Sequence, residues 1–214
     1  MVAPADGFAA IVPVKSPTVG KSRLTGLSVE RRLLAASFAA DTVAACLSTP
    51  GVLHVLAVTD DEDVARTLEA LGAEVCPDGP VPGLNAALRH GASVAHDRWP
   101  SLVPVALLAD LPALRPEDLG AALASVADRE AGGASYVIDA DGTGTTLYTA
   151  PYDDFAPRFG AGSAAAHADA GAWPVPGGLA SLRRDVDDAD GLQAALELGL
   201  GAATTAALAG SAPR

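Results

Sequence analysis

The sequence has few aromatic, cysteine and basic residues, and each low content limits which core, which thiol chemistry or which binding partner the protein can have. Aromatic side chains make up 4% of the 214 residues, so the core must be built from Ala, Val and Leu. The two cysteines, Cys46 and Cys76, lie in apolar contexts without metal-ligand spacing and are predicted to be reduced thiols. A net charge of −12 argues against a basic surface for nucleic acid.

Long apolar runs are also missing. No stretch approaches the roughly 20 consecutive apolar residues that a membrane helix needs. Residues 1–7 lack the basic segment and apolar stretch of a secretion signal. We therefore expect a cytoplasmic protein without a membrane partner. Because 50% of the residues are apolar and the mean hydropathy is +0.28, the chain is expected to fold.

Strand and helix signals alternate along the first 130 residues. Short apolar strands are predicted at 8–14, 52–58, 73–76 and 102–108, and helices at 28–47, 60–71, 84–94 and 116–126. The almost purely apolar run at 102–108 is typical of a strand buried on both faces of a parallel sheet. This alternation predicts right-handed crossovers with helices on both faces.

The pattern changes after residue 130. Strands at 134–138 and 145–150, separated by a short turn, predict an antiparallel addition to the sheet. A short helix from Ser163, a strand at 173–175 and a helix at 188–198 follow. The predicted fold class is therefore α/β, a single-domain Rossmann-like mixed sheet over residues 1–214. The Ala-, Gly- and Thr-rich tail at 201–214 is expected to be poorly ordered.

Ligands of open α/β sheets bind beyond the carboxyl ends of the strands, so the residues after each strand are the candidates for chemistry. After the first strand, Lys15, Lys21 and Arg23 lie within nine residues, together with Gly20. They can supply charge and backbone donors to a polyphosphate. A true P-loop would have glycine in place of Lys15, which disfavours that motif. The alternative is a solvated basic loop before a helix.

Aspartates mark two further candidate positions. Asp110 follows the buried fourth strand, where a carboxylate is costly without a partner such as a magnesium ion. Asp185 and Asp187 lie two residues apart, so an extended segment places both on one face, where they repel unless a cation intervenes. The alternatives are that Asp110 caps the next helix and that the pair are surface acids before a helix capped by Asp188.

Glycine-rich and polar segments complete the set of candidates. Gly160 and Gly162 let backbone N–H groups approach an anion before a helix that opens at Ser163, and Thr145 offers a hydroxyl donor. Three residues are candidates for contacts to a base or ribose: Thr59, Gly83 and Asn85. Each position is also explained by ordinary turn or cap chemistry. The four histidines show no metal-ligand spacing and receive no role.

Taken together, these segments resemble the 2-phospholactate / phosphoenolpyruvate guanylyltransferase family of deazaflavin coenzyme F(420) biosynthesis. The resemblance rests on an ordered series of segments: 11–15, 20–24, 83–85, 109–112, 144–147, 159–163 and 185–187. It implies a fold of the nucleotide-diphospho-sugar transferase type, GTP as donor and magnesium as cofactor. The implied reaction transfers GMP to phosphoenolpyruvate or 2-phospho-L-lactate and releases pyrophosphate. The Ala- and Gly-rich composition resembles bacterial members that use phosphoenolpyruvate.

The resemblance and the residue chemistry together assign roles. The metal ligands would be Asp110, Asp185 and Asp187. The catalytic residues would be Asp110, Lys21 and Arg23. The acceptor acid would be held by Lys15, Thr145, Gly160 and Ser163. The nucleotide would be bound by Lys21, Arg23, Thr59, Gly83 and Asn85.

Other functions stay open on the sequence alone. The chain could be a molybdenum-cofactor-type nucleotidyltransferase, or a regulator that binds GTP without consuming it. The expected partners are small-molecule substrates, without nucleic acid or membrane, and the protein is expected to be a monomer or homodimer.

Overall fold

A computed structural model of the protein describes residues 7–15, 31–129 and 132–210. The strands are β1 (Phe8–Pro13), β2 (Val52–Val58), β3 (Glu74–Cys76), β4 (Val103–Leu107), β5 (Ser135–Ile138), β6 (Thr145–Thr149) and β7 (Trp173–Pro174). The helices are α1 (Arg31–Leu47), α2 (Glu62–Leu71), α3 (Leu84–Arg98), α4 (Pro116–Ala127), α5 (Ser163–Asp169), α6 (Ala180–Arg183), α7 (Ala189–Leu198) and α8 (Ala202–Ala209). A 3-10 helix spans Tyr152–Asp154.

The seven strands form one mixed sheet in the order β3-β2-β1-β4-β6-β5-β7. Strands β1 to β4 are parallel, whereas β6 runs antiparallel between β4 and β5, and β7 is parallel to β5. The predicted α/β class and the antiparallel addition are therefore confirmed. Helix α3 continues to Arg98, four residues beyond its predicted end.

The sheet is covered on both faces because its central strands are apolar at successive positions. In β1, Phe8, Ala10 and Val12 face the core cluster that includes α1 and α4. The alternate residues, Ala9 and Ile11, face the cluster that includes α3. Since successive strand side chains point to opposite faces, a continuous apolar run is what a doubly covered strand requires.

Helix α3 approaches the sheet closely at Gly91. A Cβ atom at this position would lie 2.6 Å from Cγ2 of Ile11 and 2.8 Å from Cγ2 of Val58. Both neighbours belong to buried strands and cannot withdraw without disturbing the core. The small residue at this position therefore sets the spacing between α3 and the β1–β2 pair.

Helix α8 begins at a carboxylate supplied by a distant helix. Asp41 of α1 is buried, and its two oxygens accept the backbone N–H groups of Ala203 and Thr204, each at 2.9 Å. A side-chain cap from α1 thus satisfies donors that a helix start leaves unpaired. Residues 202–209 are helical for this reason, which differs from the poorly ordered tail expected from their composition. Residues 211–214 lie outside the described residues.

Cys46 and Cys76 are free buried thiols, as predicted. Burial raises the pKa of Cys46 to about 12 and that of Cys76 to about 11, so both stay protonated at neutral pH. In the parts of the chain that the structure covers, every helix is too short or too polar to span a bilayer.

The close approach at Gly91 generates a prediction with a matched control. Gly91→Ala should lower the free energy of unfolding by about 1–3 kcal/mol through overpacking. Gly120→Ala adds the same methyl group to α4, where its nearest neighbour would be Cγ2 of Thr49 at 3.8 Å. It should be neutral or stabilise by up to about 1 kcal/mol. Urea unfolding of both variants tests the pair, and equal effects would contradict the packing argument.

The cap of α8 generates a second prediction. Asp41→Ala removes both acceptors and should cost about 1.5–3 kcal/mol of stability, since the hydrogen bonds involve a charged group. Amide hydrogen exchange should accelerate first in α8. Thr205→Ala, which removes an exposed hydroxyl bonded to the Gly201 carbonyl, is the control and should change exchange little. Unchanged protection of α8 in the Asp41 variant would show that this cap is dispensable.

Candidate active site

A cleft of about 710 Å³ opens at the carboxyl end of β4. Strand β6 begins at the same edge, because Leu107 of β4 pairs with Leu147 of β6 in antiparallel register. Five of the predicted site residues line this cleft together with Asp110: Thr145, Gly160, Ser163, Asp185 and Asp187. The predicted residues thus meet at the strand ends where ligands of open α/β sheets bind.

The turn after β4 is clamped at both of the residues that flank Asp110. The buried Thr42 hydroxyl of α1 lies 3.3 Å from the Ala109 carbonyl oxygen, and it accepts the Leu111 N–H at 3.2 Å. Residue Thr42 has no exposed surface. These contacts from α1 fix the backbone on both sides of Asp110.

A backbone hydrogen bond brings the second aspartate segment to this turn. The Val186 N–H donates to the carbonyl oxygen of Asp110 at 3.0 Å. The Val186 side chain is fully buried with Phe38 and Leu192. Its neighbours, Asp185 and Asp187, both line the cleft. The structure thus brings together three carboxylates that are up to 77 residues apart in the sequence.

The gathered carboxylates change the pKa of Asp185. The pKa of Asp185 is raised to about 7, first by burial and then by the charges of Asp110, Asp187 and Asp139. Among the described residues that line the cleft, Arg184 alone is cationic, and its guanidinium lies 3.7 Å from the Asp141 carboxylate. The cleft is therefore strongly negative, an arrangement typical of functional sites rather than of folding cores.

Carboxylate oxygens are the donor type that hard divalent cations prefer. Within the described residues, no group of three or more His, Cys, Asp or Glu side chains is arranged so that it could hold a metal ion by itself. Mg²⁺ usually keeps several waters and takes one or two carboxylates plus substrate phosphates. The oxygen chemistry of Asp110, Asp185 and Asp187 suits such an ion, which would need substrate and water to complete its shell.

The turn between β5 and β6 also contributes to the lining of the cleft. The Asp139 carboxylate accepts the N–H groups of Thr143 at 3.0 Å and Gly144 at 2.7 Å. A Cβ at Gly144 would lie 2.2 Å from an Asp139 oxygen, so a larger residue here would displace this carboxylate. The turn fixes where β6 starts and hence where Thr145 stands.

The segment 159–163 is held by Asn85 of α3. The Asn85 amide donates to the Phe159 carbonyl oxygen at 2.9 Å and accepts the Phe159 N–H at 2.8 Å. After it, Gly160 and Gly162 adopt φ of +134° and +70°, which favour glycine. Asn85 is absent from the cleft lining, so the structure gives it a loop-holding contact, and its predicted nucleotide contact stays a prediction.

The remaining predicted residues lie apart from the cleft lining or outside the description. Lys15 is exposed after β1 and acts electrostatically on Asp78. The buried Thr59 hydroxyl accepts the Asp61 N–H at 3.2 Å. Gly83 precedes α3 with φ of +118°. The two other cations, Lys21 and Arg23, lie outside the described residues.

Three residues at the site were not predicted from the sequence. Asp139 and Arg184 line the cleft, and His167 is buried against Thr145. A signal existed for His167, because it lies four residues after Ser163 on the same helix and hence on the same face. The search for metal-ligand spacing could not detect this relationship.

Comparisons with known proteins identify close relatives of the chain. No protein-family model matches the chain. The phosphoenolpyruvate guanylyltransferase of Salinispora arenicola is 49% identical over 205 residues, which cover 94% of this chain and 93% of the relative. The phosphoenolpyruvate guanylyltransferase of Thermomonospora curvata is 49% identical over 206 residues, which cover 95% of this chain and 89% of the relative.

Solved structures share the fold at low sequence identity. The 4-diphosphocytidyl-2C-methyl-D-erythritol synthase of Anaerococcus prevotii superposes with a TM-score of 0.59 at 11% identity, covering 91% of this chain and 96% of that chain. A protein of Desulfovibrio desulfuricans G20 assigned as a nucleotide-diphospho-sugar transferase gives a TM-score of 0.53 at 21% identity, with coverage of 70% and 65%. The predicted nucleotide-diphospho-sugar transferase type of fold is confirmed.

The raised pKa of Asp185 generates a prediction about stability. A folded-state pKa near 7, above the ordinary 3.8, means that stability is fully present below about pH 4 and falls as pH rises through 7. Asp185→Asn should therefore stabilise the metal-free protein at pH 8 by on the order of 1–3 kcal/mol, and much less at pH 5. Thermal unfolding at both pH values measures this difference. Equal effects at the two pH values would show that Asp185 carries no such charge penalty.

Proposed function

The chain belongs to the phosphoenolpyruvate guanylyltransferase family, and we propose that it transfers GMP from GTP to phosphoenolpyruvate with release of pyrophosphate. The relatives share about half of their residues with it over nearly the whole chain. The structural observation that carries the proposal is the convergence of Asp110, Asp185 and Asp187 on one cleft. The names of the relatives favour phosphoenolpyruvate over 2-phospho-L-lactate as the acceptor. They do not favour a molybdenum-cofactor enzyme or a non-catalytic regulator.

The chemistry is an in-line substitution at the α-phosphorus of GTP. A phosphate oxygen of the acceptor forms the new bond to this phosphorus, while the bond to the bridging oxygen of the β-phosphate breaks and pyrophosphate leaves. Because the nucleophile is already an anion, the reaction needs no general base. Catalysis then depends on positioning two polyanions and on stabilising the developing charge.

The negative cleft cannot accept two polyanions without added positive charge. Asp110, Asp185 and Asp187 would hold a magnesium ion, which supplies that charge to the phosphates when bound. Lys21 and Arg23, in the basic segment after β1, would neutralise the triphosphate. The backbone carbonyl of Asp110 holds the segment of Asp185 and Asp187 in place through its hydrogen bond with Val186.

The acceptor acid would lie at the start of β6 and beside the segment 159–163. Thr145 and Ser163 offer hydroxyl groups, and Gly160 leaves its backbone open for close approach. Lys15 would reach the acceptor from the end of β1. We propose that Thr59 and Asn85 act indirectly, because their polar atoms are hydrogen-bonded within the protein, and that Gly83 shapes the edge of the nucleotide site.

A single assay tests the proposed function. The purified protein is incubated with GTP, Mg²⁺ and either phosphoenolpyruvate or 2-phospho-L-lactate, and released pyrophosphate is measured. Release that requires phosphoenolpyruvate is the expected result. Release with 2-phospho-L-lactate alone would change the acceptor, and no release with either acid would reject the transferase function.

The role of Asp110 generates a further prediction. Asp110→Asn should lower kcat at least about 100-fold, because the cleft loses one of the charges that balance the metal. Its thermal unfolding midpoint should stay close to that of the wild type. Asp97→Asn changes an exposed carboxylate on α3, outside the cleft, and should leave turnover unchanged. Near wild-type pyrophosphate release by the Asp110 variant would remove Asp110 from the mechanism.

A further inference from the structure

His167 of α5 connects the start of β6 with the segment before α5, and both contribute residues to the lining of the cleft. Its side chain is fully buried behind the cleft lining. The ring atom Nδ1 lies 3.0 Å from Oγ1 of Thr145, at the start of β6. The backbone N–H of Arg158, directly before the segment 159–163, donates to Nε2 at 2.9 Å. One imidazole therefore contacts both segments that carry the candidate acceptor-binding residues.

The two contacts determine which ring nitrogen carries the proton. A backbone N–H can only donate, so Nε2 must be an acceptor without a hydrogen. In the neutral ring the hydrogen is then on Nδ1, which donates to the Thr145 hydroxyl oxygen. Burial lowers the pKa of His167 to about 4 and keeps the ring neutral at physiological pH; a hydrogen bond with the Ser163 backbone opposes this shift, and the charge of Arg158 adds to it.

This tautomer constrains the hydroxyl group of Thr145. Because Oγ1 accepts from His167, its own hydrogen cannot point to that ring and is available to another acceptor. Thr145 lines the cleft, although only 3% of its surface is exposed. The hydroxyl is thus prepared as a donor, which is the polarity that a phosphate or carboxylate requires.

The ring has little freedom to adopt another arrangement. It stacks on Tyr148 at 4.7 Å between centroids, and it also contacts Tyr136 at 5.5 Å and Phe159 at 5.7 Å. These neighbours come from β6, β5 and the loop before α5. Packing and hydrogen bonds together therefore fix the position of the imidazole.

We propose that His167 is a positioning residue that presents the Thr145 hydroxyl as a donor to the acceptor acid and holds segment 158–163 beside it. The inference rests on the proposed function, because it takes the acceptor acid to be the substrate that binds beside Thr145 and segment 158–163. His167 acts through Thr145 and the loop and does not contact the substrate. Its loss should weaken binding of the acceptor and spare GTP.

Two amide substitutions separate the two contacts. In His167→Asn the carboxamide lies near the position of Nδ1 and can still donate to Thr145. In His167→Gln it reaches the position of Nε2 and can still accept from Arg158. We expect His167→Gln to raise KM for phosphoenolpyruvate about tenfold with KM for GTP changed less than about twofold. His167→Asn should raise KM for phosphoenolpyruvate less than His167→Gln does.

Coupling to Thr145 provides the control. On a Thr145→Val background, His167→Gln should have almost no additional effect on KM for phosphoenolpyruvate, since the hydroxyl that it orients is gone. Equal effects of His167→Gln on both backgrounds, or a parallel rise in KM for GTP, would show a merely structural role and overturn the proposal.

The tautomer can be observed in the wild-type protein without any variant. A long-range ¹H–¹⁵N spectrum between pH 6 and pH 8 should show one histidine with a protonated Nδ1 and an unprotonated Nε2. A protonated Nε2 on His167 would overturn the proposal even if the variants fail to fold. If the wild type releases no pyrophosphate with either acid, the proposed function fails instead, and the spectrum distinguishes the two failures.

Discussion

The hydrogen bond from the Val186 N–H to the Asp110 carbonyl oxygen is the contact on which the candidate site depends. It fastens a late segment of the chain to the end of a central strand, and burial of the Val186 side chain fixes its register. Because the neighbours of a buried residue in an extended segment point the other way, Asp185 and Asp187 face the cleft. Thr42 supports the same turn from α1, so the arrangement does not rely on the carboxylates themselves.

This anchoring makes it possible to hold like charges together. Asp110, Asp139 and Asp187 all raise the pKa of Asp185, so the carboxylates of the cleft repel one another. Side chains that repelled each other on a free loop would separate, but the backbone contact prevents this. The stability lost at the site is offset by the apolar layers on both faces of the sheet, a distribution that is common where function conflicts with stability.

Much of the sheet could be predicted from the sequence because its signals are local. The apolar run at 103–107 and the start of α2 at Asp61 depend on neighbouring residues only. The contacts that could not be predicted join residues far apart. Asp41 caps a helix 162 residues away, and Asn85 bonds a loop 74 residues away. The backbone partners of Asn85 and Thr59 could not be predicted either, because a polar side chain in a sequence does not reveal what it contacts.

The aspartates and Thr145 have different electrostatic roles in the cleft. The aspartate wall carries charge and requires cations, which the basic segment after β1 and a divalent metal would bring with the nucleotide. The hydroxyl of Thr145 is backed by a neutral ring, because burial lowers the pKa of His167 and its Nε2 accepts the Arg158 N–H. Neutral donors can orient an anion without competing for the metal or pairing with the aspartates. A lysine or a protonated histidine behind Thr145 would instead be drawn toward the carboxylates and close the space that the acceptor needs.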